Sequence, residues 1–123
     1  MFLELNHQKL DVYQASQSFV LECYRITKQL PPEERFGMIS QIRRAALSCH
    51  LNIAEGASRK SESERKRYYE VARGSIVEID AAFDIAEKLG YLKELLLIEL
   101  GKAMVRCFQI VCRLIKPKSK PDN

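Results

Sequence analysis

The chain has no C-x-x-C pair, no glycine-rich phosphate loop and only two histidines. The first absence removes the common redox and zinc-ribbon motifs. The second removes the phosphate cradle of nucleotide-binding loops. Di-metal sites in helical bundles are built on Glu-x-x-His within a helix. Here His50 has Leu47 three residues before it, and His7 stands near an N-terminus that reads as disordered. No metal site and no cofactor is expected. Ser48 and His50 are two residues apart, so on a helix they diverge and make no catalytic pair. The remaining enzymatic option is an acid–base pair among Glu55, Glu78 and Asp80, and the better expectation is that the protein is not an enzyme.

Long apolar runs are also missing. The longest, Leu95 to Ile98, is far too short to span a bilayer. No basic segment followed by an apolar run marks a secretory signal at Met1–His7. The four cysteines, 23, 49, 107 and 112, each fall among apolar residues on a helical pattern. They read as reduced, buried thiols, which implies reducing, cytoplasmic surroundings. With no convincing strand pattern, what is present is helix.

Four periodic segments account for residues 1–116, a single domain, and 117–123 read as a disordered basic tail. In the first, residues 9–29, Val12, Ala15, Phe19, Cys23, Ile26 and Leu30 form the apolar stripe, and Leu30-Pro31-Pro32 ends it. The second is expected from Pro32, a favourable first-turn position, to about Glu55, with Gly56 as its cap or with one further turn through Arg59 and Lys60. Ser61-Glu-Ser-Glu64 matches the S-x-x-E capping box and opens the third. Its core stripe is Tyr68, Ala72, Ser75, Ile79, Ala82 or Phe83, and Ala86. Gly74 sits in mid-helix, where a close crossing would explain it, and Gly90 caps the end. The fourth, about Leu92 to Ile115, has a narrow polar stripe and more apolar surface than one helix of a bundle buries. The surplus predicts either a subunit interface or a central position in the monomer. Short connections make the fold an all-α, antiparallel up-down-up-down four-helix bundle.

The second segment carries a polar stripe beside its core stripe. Gln41, Arg44, Ser48, Asn52 and Glu55 recur at steps of three or four and share one face. Such groups need partners, and Ser75 and Glu78 of the third segment are the expected ones, across a helix or subunit contact.

Net charge is only +4, but the topology concentrates it. The turn between the second and third segments and the C-terminus fall at one end of the bundle. That end carries Arg59, Lys60, Arg65, Lys66, Arg67, Lys118 and Lys120, the expected nucleic-acid contacts. Arg65-Lys66-Arg67 gains nothing from the dipole at a helix start. Tyr68 and Tyr69 follow directly, one for the core and one available to stack on bases.

Four ordered blocks carry a family resemblance: Gln41-Ile-Arg-Arg-Ala-Ala, Ser48-x-x-x-Asn52-Ile-Ala-Glu-Gly56, Ala72-x-Gly74-Ser75-x-x-Glu78 and Leu89-Gly90-Tyr91-Leu92. Over residues 8–115 the chain resembles the bacterial 23S rRNA intervening-sequence proteins. That family usually has Ser-Ile-Pro before the asparagine, where this chain has Ser48-Cys49-His50. The resemblance implies a bacterial, cytoplasmic bundle that assembles as a homopentamer. A related accessory factor of diversity-generating retroelements binds a reverse transcriptase and nucleic acid. The expected function is therefore non-enzymatic binding of RNA or a ribonucleoprotein through the basic pole. The alternative is a protein–protein interaction scaffold without nucleic-acid binding. A membrane is not an expected partner.

Overall fold

The structure, a computed structural model, describes residues 1–117. Four helices form it: α1 Asp11–Thr27, α2 Met38–Ala57, α3 Glu62–Lys88 and α4 Ile98–Ile115. There is no strand among the described residues. Helix α1 packs on α2 and α4, and α3 packs on α2 and α4, closing a four-helix bundle. Cross-helix pairs set the directions. Ser16 meets His50 and Thr27 meets Arg43, so α1 and α2 are antiparallel. Gln41 meets Glu78 and Ser48 meets Ser75, so α3 reverses again. Along the α3–α4 seam Glu87 shares a groove with Leu97, and Ile76 shares one with Phe108. Helix α4 therefore runs opposite to α3.

The apolar stripe of α1 is buried in full, from Val12 to Leu30. Phe19, Ile26, Ile53, Ile79 and Val111 lose all solvent contact, at about 1.5–3 kcal/mol of transfer free energy each. Cys23, Cys49 and Cys107 fill the middle as buried free thiols, and Cys112 is half-buried. Burial, followed by the charge of Glu22, pushes the Cys23 thiol up to about 12, so it stays protonated at neutral pH.

Helix ends follow local chemistry. Ser61 Oγ accepts the Glu64 N–H at 3.2 Å, as its capping box requires. At the end of α3 the Tyr91 N–H bonds Ala86 O and the Gly90 N–H bonds Glu87 O. This is the double-bonded C-terminal motif with Gly90 at φ +79, where a side chain is strained.

Several expectations are corrected. The second helix begins at Met38, not Pro32; Pro32–Glu34 is a separate 3-10 turn. Gly37, at φ −107 and ψ −105, breaks the run, and Glu34 Oε1 accepts the Met38 N–H at 3.3 Å. The fourth helix starts at Ile98, after a 3-10 turn over Glu94–Leu97. Gly56 is no cap. It is buried inside α2, and a Cβ there would lie 2.9 Å from Tyr68 Cβ and 3.3 Å from Arg65 O. The close crossing belongs to Gly56, because Gly74 is exposed with nothing within 4 Å of an added Cβ. Tyr69 takes the core position expected for Tyr68. The N-terminus is ordered into a 3-10 turn over Asn6–Lys9 that packs on α1 and α2.

Candidate nucleic-acid interface

The last turn of α2, the first turns of α3 and the C-terminus of α4 meet at one end. The register facing Ile76 with Phe108 sets Ile115 level with Tyr69, so Arg113 and Lys116 stand exposed beside the start of α3. Two of the expected cations hold this end together. Arg65 Nη1 donates to the Arg59 and Lys60 carbonyls at 3.0 and 2.7 Å, clamping the α2–α3 turn. Arg59 Nη2 donates to Glu55 Oε1 at 3.0 Å and to the Tyr68 hydroxyl at 2.9 Å. Its guanidinium carbon lies 5.0 Å from the Tyr68 ring centre. Tyr68, then Glu55, raises the Arg59 pKa above its ordinary value. The other three differ. Lys60 and Arg67 are exposed and Lys66 is half-buried. Among the described residues none of their side chains has a hydrogen-bond or ion-pair partner. Lys118 and Lys120 lie outside the described residues. Burial raises the pKa of Tyr69, which is enclosed in the core, so only Tyr68 remains as an accessible ring.

The polar stripe of α2 lies along the α2–α3 seam as separate contacts rather than one chain. Asn52 Nδ2 donates to Ser48 O at 2.8 Å and to Ser48 Oγ at 3.2 Å. Ser75 Oγ meets Ser48 Oγ at 3.4 Å, and Gln41 Nε2 meets Glu78 Oε1 at 3.3 Å, both long. Glu55 turns instead to Arg59, and exposed Arg44 bonds none of these residues.

Sequence reasoning missed the histidine contacts. His50 Nδ1 is 2.7 Å from Ser16 Oγ, and its ring packs on Tyr13 at 4.6 Å. Ser16 is fully buried and its hydroxyl lies 3.0 Å from Tyr13 O, so this Ser–His pair ties α1 to α2 and is closed to substrates. Glu4 and His7 do carry the i, i+3 spacing of a metal motif. Glu4 is outside any helix at φ +48, however, and His7 packs against Tyr13 at 5.7 Å. Among the described residues no three His, Cys, Asp or Glu side chains converge for a metal. A signal for the Ser16 contact existed, since Ser16 falls inside the apolar stripe of α1, next to Ala15.

Burial lowers the pKa of His50 below its ordinary 6.5. The unfolded chain then binds the proton more readily than the native one. Stability is fully present above the unfolded value and falls as pH drops through about 6.5. Melting at pH near 7.5 and 5.5 is expected to show this loss, and His50→Gln is expected to shrink it. An equal loss in the variant would assign the acid sensitivity elsewhere.

The surplus on α4 stays uncovered. Ile98 and Val105 are about half exposed, as is Val77 on α3, beside a groove of about 460 Å³ lined by Ile76, Met104 and Phe108. The helix is thus peripheral, not central. Among the described residues no helix is long and apolar enough to cross a membrane.

No match was found among curated proteins. A crystal structure of a protein of unknown function from the S23 ribosomal protein family of Bacteroides thetaiotaomicron shares the fold. It superposes with a TM-score of 0.77 at 20% identity, covering 86% of this chain and 99% of that one. Helix α2 runs unbroken through Cys49 and His50, so the family's usual proline is not needed for this architecture. The family model for the 23S rRNA-intervening sequence protein matches residues 8–112, and the chain belongs to that family.

Proposed function

We propose that the protein is a non-enzymatic, self-associating bundle that binds RNA, or an RNA–protein complex, through the pole at the α2–α3 turn. One observation carries the reading. Arg65 and Arg59 brace the turn through their own hydrogen bonds, and Lys60, Lys66 and Arg67 stand around it without protein partners among the described residues. Glu62, Glu64 and Glu70 are exposed nearby, but none is ion-paired to these three, and cations held on a rigid frame in this way suit phosphate contacts. Self-association rests on the exposed Val77, Ile98 and Val105, and the pentamer and cytoplasmic setting rest on the family. A ring of side-by-side subunits turns every pole the same way and adds their fields.

The test is titration of a labelled single-stranded RNA at two salt concentrations. Between about 0.05 and 0.2 M salt, affinity is expected to fall steeply, because phosphate contacts release counterions. No binding at low salt ends the proposal. Solution mass, against 14.2 kDa for one chain, tests self-association. The apolar α3–α4 groove favours a second reading, a protein-interaction scaffold. A purified protein partner retained after nuclease treatment, with no RNA titration signal, would select it.

A further inference from the structure

The phosphate-binding reading leaves unused a groove of about 590 Å³ at the same pole. The N-terminal segment forms one wall with Leu5 and His7, α2 supplies Leu51, Asn52 and Glu55, and Tyr68 of α3 closes the far side. We propose that this groove holds an unpaired nucleobase of a single-stranded nucleic acid whose phosphates lie on the surrounding cations; the inference rests on the polyanion reading above.

The chemistry of the walls selects a flat, hydrogen-bonding ligand. Leu5, Leu51 and the rings of His7 and Tyr68 offer apolar and aromatic surface to the faces of a base. Tyr68 is preset, since its hydroxyl accepts from Arg59 at 2.9 Å and one face carries the Arg59 guanidinium. The polar groups are unsymmetrical. Asn52 spends its Nδ2 on Ser48, leaving its carbonyl oxygen for a ligand. Glu55 binds Arg59 through Oε1, leaving Oε2. The oxygens left on Asn52 and Glu55 are acceptors, and the Tyr68 hydroxyl, having accepted from Arg59, keeps its own proton to donate. The two acceptors suit the paired amino hydrogens of cytosine, whereas uracil has only its N3–H to offer them. The Arg59 charge offsets that of Glu55, so the carboxylate does not repel the neighbouring phosphates outright. A base inside a duplex is stacked and cannot enter.

The experiment compares labelled octamers of cytidylate and uridylate and an RNA duplex of equal length, at one salt concentration. The octamer of cytidylate is expected to bind about 10-fold tighter than that of uridylate, and tighter than the duplex. Glu55→Gln is expected to reduce the preference while keeping the salt dependence. Leu51→Asp, at a position 60% exposed and thus harmless to folding, is expected to remove it. Equal affinity for all three probes, with both variants indistinguishable from wild type, overturns the base site and leaves the phosphate reading standing. Absence of binding to every probe at low salt overturns both.

Discussion

Exchanging Lys60, Lys66 and Arg67 together for glutamate is expected to weaken RNA binding by more than about 100-fold at about 0.1 M salt. Each charged hydrogen bond removed is worth about 1.5 kcal/mol or more, and the new carboxylates add repulsion. The slope of log affinity against log salt should also flatten by about 2, since each single-strand phosphate no longer neutralised accounts for about 0.7. The three side chains have no partner among the described residues, so the melting temperature should hardly move. Arg65→Ala makes the contrast. Its guanidinium spans the Arg59 and Lys60 carbonyls, so its removal should loosen the turn and lower stability. Salt-dependent titrations of the triple variant, beside melting curves of both, check the assignment. Unchanged affinity and slope would remove the α2–α3 turn from the interface.

Gly56→Ala is expected to destabilise the fold by about 2–3 kcal/mol, lowering the melting temperature by about 8–12 °C. The new methyl would meet Tyr68 Cβ at 2.9 Å and Arg65 O at 3.3 Å. Neither atom is at the free end of a side chain, so relief requires α2 and α3 to part. Parting them strains the Tyr69 packing and the Arg59–Tyr68 contact as well. Gly74→Ala should act in the opposite direction. Nothing lies within 4 Å of a Cβ there, and the exchange gains about 0.5–1 kcal/mol of helix propensity. Thermal melting of the two variants checks the opposite signs. Stabilisation by both would mean that the α2–α3 approach is looser than the distances indicate.

The two glycines show where reading from sequence stops. Both interrupt good helical patterns, and nothing local separates them. Spacing alone puts the close crossing at Gly74 and the cap at Gly56; packing reverses the first and cancels the second. Tyr68 and Tyr69 are a similar case. Adjacent aromatics at a helix start both fit a core stripe, and only the angle of α3 over α2 buries Tyr69. By contrast, the stripe of α1, the Ser61 cap and the Gly90 terminus are legible in the chain, because each depends on residues within one or two turns.

The candidate site divides in the same manner. The concentration of cations at one end follows from helix order and short turns, so it can be read from the chain. That Arg65 and Arg59 brace the turn while Lys60, Lys66 and Arg67 stand apart cannot. Nor can the return of Leu5 and His7 to that pole, or the pairing of Ser16 with His50. Hydrophobic spacing set the number of helices and most of their inward faces, since a side chain's position around its own helix depends only on residue count, and short connections set their alternating directions. Tertiary structure decided which polar groups are spent on one another and where two backbones touch, because those depend on the distance and angle between helices far apart in sequence.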